Sequence, residues 1–300
     1  MSDGRRRIQF AAMRGQRLED IAKTITATPD ALPTPFPTWN LACGEEGGKI
    51  GLAKKWFIVL GGNDGSGKSY LLLNLAACGV RAGKKVGFVN FEMTELGMTC
   101  RFLSIVSGIP KYHLEHGKYF SMDKWLSAKG EVDKLYREGG GMLITNRTAV
   151  FDLDDVSKSY HELRESGCEV IIIDYAQLIH VHGADGIFGR TEAVANKLRE
   201  LTHEYDVTTI VASQFSRAGK GRKRPSRHGL QGGSAWENNA NQIMLIHHGE
   251  SEIVDDVKYT KIICDKNRHG MSGFDVDIAW DLKNMQWVED TDEAIHTTGW

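Results

Sequence analysis

One octapeptide constrains this chain more than anything else in it: Gly62-Asn63-Asp64-Gly65-Ser66-Gly67-Lys68-Ser69. It fits the phosphate-loop pattern of Gly, four residues, Gly, Lys and Ser/Thr. Its flanks fit as well. Trp56-Phe57-Ile58-Val59-Leu60 is a short apolar run that reads as a buried strand. Tyr70-Leu71-Leu72-Leu73-Asn74-Leu75-Ala76-Ala77 is rich in helix formers and is expected to end near Gly79. A strand, a glycine-rich turn and a helix N-terminus make an anion site, because backbone N–H groups and the helix dipole both favour negative charge there. The pattern predicts a nucleoside triphosphate, taken as ATP, held by Gly62, Asn63, Asp64, Gly65, Ser66, Gly67, Lys68, Ser69 and Tyr70. Lys68 would meet the β- and γ-phosphates, and the Ser69 hydroxyl would meet Mg2+.

From Gly51 onward, strand-like runs alternate with helical ones. Val86-Gly87-Phe88-Val89-Asn90-Phe91, Met142-Leu143-Ile144-Thr145, Val170-Ile171-Ile172-Ile173-Asp174 and Thr208-Thr209-Ile210-Val211-Ala212-Ser213 read as strands. Helices are expected over 95–107, 122–136, 154–165 and 190–205. The end of the chain turns to β, over 242–246, 258–264 and 274–278. Such alternation predicts an α/β fold with a central, mostly parallel sheet, right-handed crossovers and a β-rich C-terminal part.

Residues 1–50 differ from the rest. Arg5, Arg6, Arg7, Arg14 and Arg17 accompany Ile8, Phe10, Met13, Leu18 and Ile21, a spacing that suits an amphipathic helix over 1–28. Four of the six prolines fall at Pro29, Pro33, Pro35 and Pro37, so 29–50 is expected to be an extended linker. The folded unit is then expected to span 51–290, with a tail over 291–300. The chain is 41% hydrophobic and 25% charged, enough apolar material for a substantial core. No run approaches the ~20 apolar residues of a membrane span, and the arginines are not followed by the apolar stretch of a secretory signal. The five scattered cysteines support neither a disulfide framework nor a zinc site, which fits a reducing, cytoplasmic setting. A net charge of -2 leaves any nucleic-acid site to local charge.

Three further stretches carry chemistry. Asp174 closes a very apolar strand, where a carboxylate can hold the water shell of Mg2+ at the C-terminal edge of the sheet. Glu92 follows the strand after the phosphate-loop helix, at the same edge. It can orient and deprotonate an attacking water, or be an exposed loop glutamate. Gln214 follows another sheet strand and can hydrogen-bond both the γ-phosphate and the water. After it, seven of the thirteen residues over 217–229 are Lys, Arg or His, among them Lys220, Arg222, Lys223, Arg224 and Arg227. Such a loop suits contacts with a phosphate backbone, although a solvated charge run has the same composition. His180 to Gly189 reads as a flexible loop at the same edge.

Taken in order, these motifs resemble the motor domain of DnaB-type replicative DNA helicases, within the RecA-like superfamily. Phe91-Glu92-Met93 with Arg101 resembles "LEM…R". Ile173-Asp174-Tyr175-Ala176-Gln177-Leu178 resembles "IDYLQL", Ser213-Gln214-Phe215-Ser216-Arg217 resembles "SQLNR", and Lys223-Arg224-Pro225 resembles "KRP". Lys266-Asn267-Arg268-His269-Gly270-Met271-Ser272-Gly273 resembles "KNRNGPTG". The resemblance runs from about Pro33 to Glu289. It implies that Lys68, Ser69, Glu92, Asp174 and Gln214 serve hydrolysis in one subunit, and that Lys266 and Arg268 reach a neighbour's γ-phosphate. It also implies a ring, expected to be a hexamer, that passes single-stranded DNA through its centre. A helicase loader or other replisome proteins are the implied partners, and no membrane. Gln231, Gly232 and Gly233 fall in a DNA-contacting loop, with Gln231 where the family often has arginine. Asn238-Asn239-Ala240-Asn241 stands in place of "QDAD". The family's primase-recruiting N-terminal domain has no counterpart, as expected for a phage or mobile-element form. Two rivals remain open at the level of sequence: a recombinase-like ATPase forming a DNA-binding filament, and a ring ATPase acting on protein.

Overall fold

The computed structural model describes residues 31–42, 51–115, 119–146, 151–216, 219, 224–248, 253–268 and 270–290. In chain order the elements are α1 (Pro37–Ala42), β1 (Phe57–Gly62), α2 (Lys68–Arg81), β2 (Lys85–Asn90), α3 (Glu95–Ser107), α4 (Tyr112–Glu115) and α5 (Met122–Arg137). They continue with β3 (Gly141–Asn146), β4 (Phe151–Asp152), α6 (Leu153–Glu165), β5 (Val170–Asp174), β6 (Ile179–His180), α7 (Gly186–Glu204) and β7 (Thr208–Gln214). The last are α8 (Gly233–Asn239), β8 (Gln242–His247), β9 (Ile253–Val254), β10 (Val257–Asn267), β11 (Phe274–Asp281) and β12 (Gln286–Glu289).

The main sheet runs β12-β11-β10-β8-β1-β7-β5-β2-β3, with β9 on β10. From β8 to β3 all pairs are parallel. From β8 through β10 and β11 to β12 they are antiparallel. The parallel strands are continuous apolar runs because helices cover both faces. Alternate side chains go to opposite sides. Ile58, Leu60, Phe88, Ile172, Ile210 and Met244 pack with α2 and α3 on one face. Phe57, Val59, Ile171, Ile173, Val211 and Ile243 pack with α6, α7 and α8 on the other.

Four expectations need correction. First, residues 31–42 are not a linker but part of the folded body. Leu32 pairs with Leu52 through two backbone hydrogen bonds of 2.8 Å, and Phe36 and Trp39 are fully buried. Pro37 starts α1 rather than blocking it, since the first helical residue needs no N–H partner. The Glu289 carboxylate on β12 accepts from the Thr38 N–H at 2.7 Å and from the Thr38 hydroxyl. The expected boundary at 51 therefore cuts through packed structure. Second, α2 runs past Gly79 to Arg81. A Cβ at Gly79 would lie 2.9 Å from Leu32 and 3.0 Å from Val86, so this glycine admits close packing instead of ending the helix. Third, the stretch from His180 to Gly189 is not all loop. β6 pairs with β4, and α7 already begins at Gly186. Fourth, α8 is not expected from sequence, because its Gly-Ser-Ala-Trp-Glu-Asn-Asn run has little helix propensity. Buried Trp236, packed on Phe57, holds it in place. The helix expected over 1–28, the tail over 291–300, and residues 29, 30 and 43–50 of the expected linker lie outside the described residues.

Candidate functional site: a nucleotide cleft at the sheet edge

The parallel register assembles the site before any side chain is considered. Gly62 at the end of β1 lies opposite Gln214 at the end of β7, and Asn90 of β2 lies opposite Asp174 of β5. The C-terminal ends of these strands share one edge. There a cleft of about 580 Å³ is lined by the loop from Asp64 to Tyr70 and by Glu92, Met93, Arg101, Asp174, Tyr175, Gln214 and Trp280. The sequence-predicted Lys68, Ser69, Glu92, Asp174 and Gln214 are thus brought together.

The loop needs its glycines. Gly65 and Gly67 have φ of 69° and 83°, in the left-handed region that L side chains rarely adopt. Lys68 is buried, and its ammonium donates to the carbonyls of Gly62 at 3.1 Å and Asn63 at 2.8 Å. The Ser66 hydroxyl is buried without a hydrogen-bond partner. His248, just past β8, supports the loop from behind, with Nε2 3.0 Å from the Ser66 carbonyl. Burial lowers the His248 pKa to about 4, so the ring is neutral and Nε2–H is the donor.

Asp174 is buried, and burial raises its pKa to about 6. The Ser69 hydroxyl hydrogen-bonds it and opposes the rise, while the Glu92 charge adds to it. Glu92 is exposed to the cleft on a short turn organised by Asn90. The Asn90 side-chain oxygen accepts from the N–H of Glu92 at 3.3 Å and of Met93 at 3.0 Å. Gln214 hydrogen-bonds the Tyr175 hydroxyl, whose pKa is raised chiefly by burial. Next to it the Gln177 amide donates to the Ser213 hydroxyl at 3.0 Å.

Residues that the sequence reading does not bring to the site come from the end of the chain. Trp280 stacks on Trp287 at 5.0 Å with an interplanar angle of 9°, and its ring meets Tyr70 at 5.4 Å. A Cβ at Gly67 would lie 2.7 Å from Trp287 and 3.0 Å from Trp280. This pair closes one side of the phosphate loop. Arg101 lies over the Tyr70 ring at 4.4 Å and completes the wall. A spacing rule cannot find such contacts, since they join elements far apart in the chain.

The donor set suits Mg2+. That ion usually keeps several waters and takes one or two protein oxygens beside substrate phosphates. Ser69 and Asp174 could supply that pair of oxygens. Among the described residues no cluster of three His, Cys, Asp or Glu side chains could cage a metal alone.

Lys266 and Arg268 do not line this cleft. Both turn back on the C-terminal carbonyls of α8. The Lys266 ammonium donates to Ala240 O at 2.8 Å and to Glu237 O, and the Arg268 guanidinium donates to Asn238 O at 2.5 Å. Cations are favoured at a helix C-terminus. Burial, with Arg268 next in effect, lowers the Lys266 pKa to about 8. Of the basic loop, Lys220, Arg222 and Lys223 lie outside the described residues. Arg224 is exposed and paired with Asp275, and Arg227 is held by Asp265 and Glu237. Gln231 is half-buried, and its N–H donates to Gln214 O at 2.9 Å. Gly232, at φ 73°, caps α8, and buried Gly233 sits against the Arg227 carbonyl.

Residues 48–289 match the model of the DnaB-like helicase C-terminal domain. The chain belongs to that family. A probable plasmid replicative DNA helicase of Chlamydia psittaci is 28% identical over 247 residues, covering 80% of this chain and 52% of that protein. The replicative DNA helicase DnaB of Geobacillus stearothermophilus is 25% identical over 232 residues, covering 74% and 50%. The chain thus spans about half the length of the curated relatives it matches. Its fold matches a solved ATPase domain with a TM-score of 0.74 at 18% identity, covering 94% of this chain and 100% of that one. A DnaB-like replicative helicase, solved in a study of its interactions with primase, also gives a TM-score of 0.74, at 17% identity, covering 93% and 67%.

Proposed function

We propose that this chain is the ATP-hydrolysing motor of a ring-shaped helicase, expected to be a hexamer, that translocates on single-stranded DNA during replication. The observation that carries this reading is the convergence of Lys68, Ser69, Asp174, Glu92 and Gln214 on one cleft in a DnaB-like domain. Lys68 neutralises the β- and γ-phosphates. Ser69 and Asp174 would hold Mg2+, whose charge would offset that of the phosphates and keep Asp174 ionised. Glu92 takes a proton from the attacking water, and Gln214 orients that water. Trp280 and Tyr70 provide aromatic surface for the base.

Lys266 and Arg268 act on a neighbouring subunit's nucleotide, so one chain holds an incomplete site. The basic residues Lys220, Arg222, Lys223 and Arg224, with the loop at Gln231, Gly232 and Gly233, face DNA phosphates. The bond between Gln231 N–H and Gln214 O gives the nucleotide sensor a direct backbone link to that loop. Loader or other replisome partners and a cytoplasmic, reducing setting belong to the same reading. The described cysteines are free thiols, and no described helix is long and apolar enough to cross a membrane.

The test is the ATPase rate with and without single-stranded DNA, alongside particle images. DNA-stimulated hydrolysis by closed rings supports the reading. Filaments would favour a recombinase-like ATPase, and indifference to DNA would favour a ring acting on protein. Lys68→Ala should abolish turnover in either case.

A further inference from the structure

The two described arginines of the basic stretch are held in different ways. Arg227 is built into the frame. Its backbone N–H and its guanidinium both reach the Asp265 carboxylate at 3.1 Å, the guanidinium also donates to Asp265 O at 2.5 Å, and Nε meets Glu237 at 2.9 Å. Its side chain is 28% exposed. Among the described residues Arg224 has a single acceptor group, the Asp275 carboxylate, gripped in fork fashion at 2.5 and 2.6 Å. Its side chain is 52% exposed. Asp275 stands on β11, opposite Ile263 of β10. The pair therefore ties the end of the basic loop to the same hairpin that carries Lys266 and Arg268.

A carboxylate and a phosphodiester each offer two oxygens that the planar guanidinium of an arginine can grip in fork fashion. We infer that Asp275 is an internal stand-in for a DNA phosphate: it occupies Arg224 in the DNA-free protein and is displaced when single-stranded DNA enters. Arg227 has three acceptor groups, including a main-chain carbonyl, and stays in place. Asp275 thus subtracts from DNA affinity. DNA binding also cuts the tie between the basic loop and the finger hairpin. The inference rests on the reading of the basic loop as a DNA-contacting surface.

The competition has a salt signature. An exposed ion pair weakens as salt is added, so Asp275 competes most at low salt. Asp275→Asn should bind a labelled oligothymidylate about two- to fivefold more tightly at low ionic strength, the range expected from releasing one exposed pair. The gain should shrink as salt rises, so the variant shows the steeper salt dependence. The measurement uses the full chain with a non-hydrolysable ATP analogue, and a melting curve to confirm folding. Removing any nearby negative charge also strengthens DNA binding, so the deciding arm repeats Asp275→Asn in an Arg224→Gln background. The gain must be clearly smaller there. A gain of equal size in both backgrounds, or none in the wild-type background, overturns the inference. Joint neutralisation of Lys220, Arg222, Lys223 and Arg224 reports separately on the loop. If that variant binds weakly and Asp275→Asn changes nothing, the loop reading stands and the stand-in falls. If it binds normally, both fall.

Discussion

At the nucleotide cleft, parallel strands end on one edge and the residues they carry already face one another. On the antiparallel wing of β10, β11 and β12, Lys266 and Arg268 point into their own chain, capping α8. The difference follows from strand geometry. Parallel strands of matched register deliver their C-terminal residues to a common line, so a site assembles from within. An antiparallel hairpin carries its turn away from that line, so its turn residues must find partners elsewhere. On the proposed reading, the cleft is one half of a site and the wing supplies the complement for another copy.

The sharpest way to break this comparison is to mix subunits. Arg268→Ala should lower hydrolysis by about 10³–10⁵-fold, the range for a trans-acting arginine. Arg268→Lys should also be poor, because an ammonium lacks the planar fork. Combining Lys68→Ala with Arg268→Ala subunits should restore part of the rate, since some interfaces then pair an intact loop with an intact finger. If mixed rings form and no activity returns at any ratio, the wing does not complete the cleft.

Glu92→Gln tests the other half. It should bind ATP and assemble, yet lose about 10²–10⁴-fold in turnover, the usual cost of a lost general base. Turnover at the wild-type rate would leave the cleft without an identified base.

A smaller effect should appear in stability. The folded pKa of Asp174, about 6, lies above the ordinary value of 3.8. Its contribution to stability is therefore fully present below pH 3.8 and is lost as pH rises through about 6. Ligand-free Asp174→Asn should match wild type near pH 3 and be more stable at pH 7, by at most about 3 kcal/mol. Denaturant midpoints across that range check this. The same variant should lose the thermal shift produced by Mg2+ and ATP. Equal midpoints at pH 7 would mean that Asp174 stays ionised without strain.

The smallest effect concerns the joint between the two regions. Trp280→Phe keeps an aromatic ring but thins the stack on Trp287 and Gly67. It should cost about 1–2 kcal/mol of stability, as an ordinary core change does, and weaken ATP binding a few-fold. Nucleotide titration by intrinsic fluorescence would follow it. Unchanged affinity would mean that the wing supports the fold but not the phosphate loop.

The parts legible in the sequence are those encoded locally. The phosphate loop, the apolar strand ending in Asp174 and the strand end at Gln214 each carry their own signal, and parallel register then brings them together. The Pro-rich stretch misleads when its prolines are weighed without the buried Phe36 and Trp39 among them. α8 escapes a propensity reading because its stability comes from Trp236 packing. The Trp280 and Trp287 wall escapes because no local pattern links β11 and β12 to Gly67. The basic loop is visible as charge, but the different fates of Arg224 and Arg227 depend on which acidic strand residues lie opposite them.

The packing of Trp287 on Gly67 also has a bearing on biosynthesis. The phosphate loop leaves the ribosome long before its tryptophan cover. Until β12 emerges, the N-terminal half of α2 lacks a neighbour, and Glu289 cannot yet hold Thr38. A nascent chain of this kind must keep that surface from wrong partners until β12 is made. Truncation just before Trp287 would therefore uncover the phosphate loop, not merely shorten the chain.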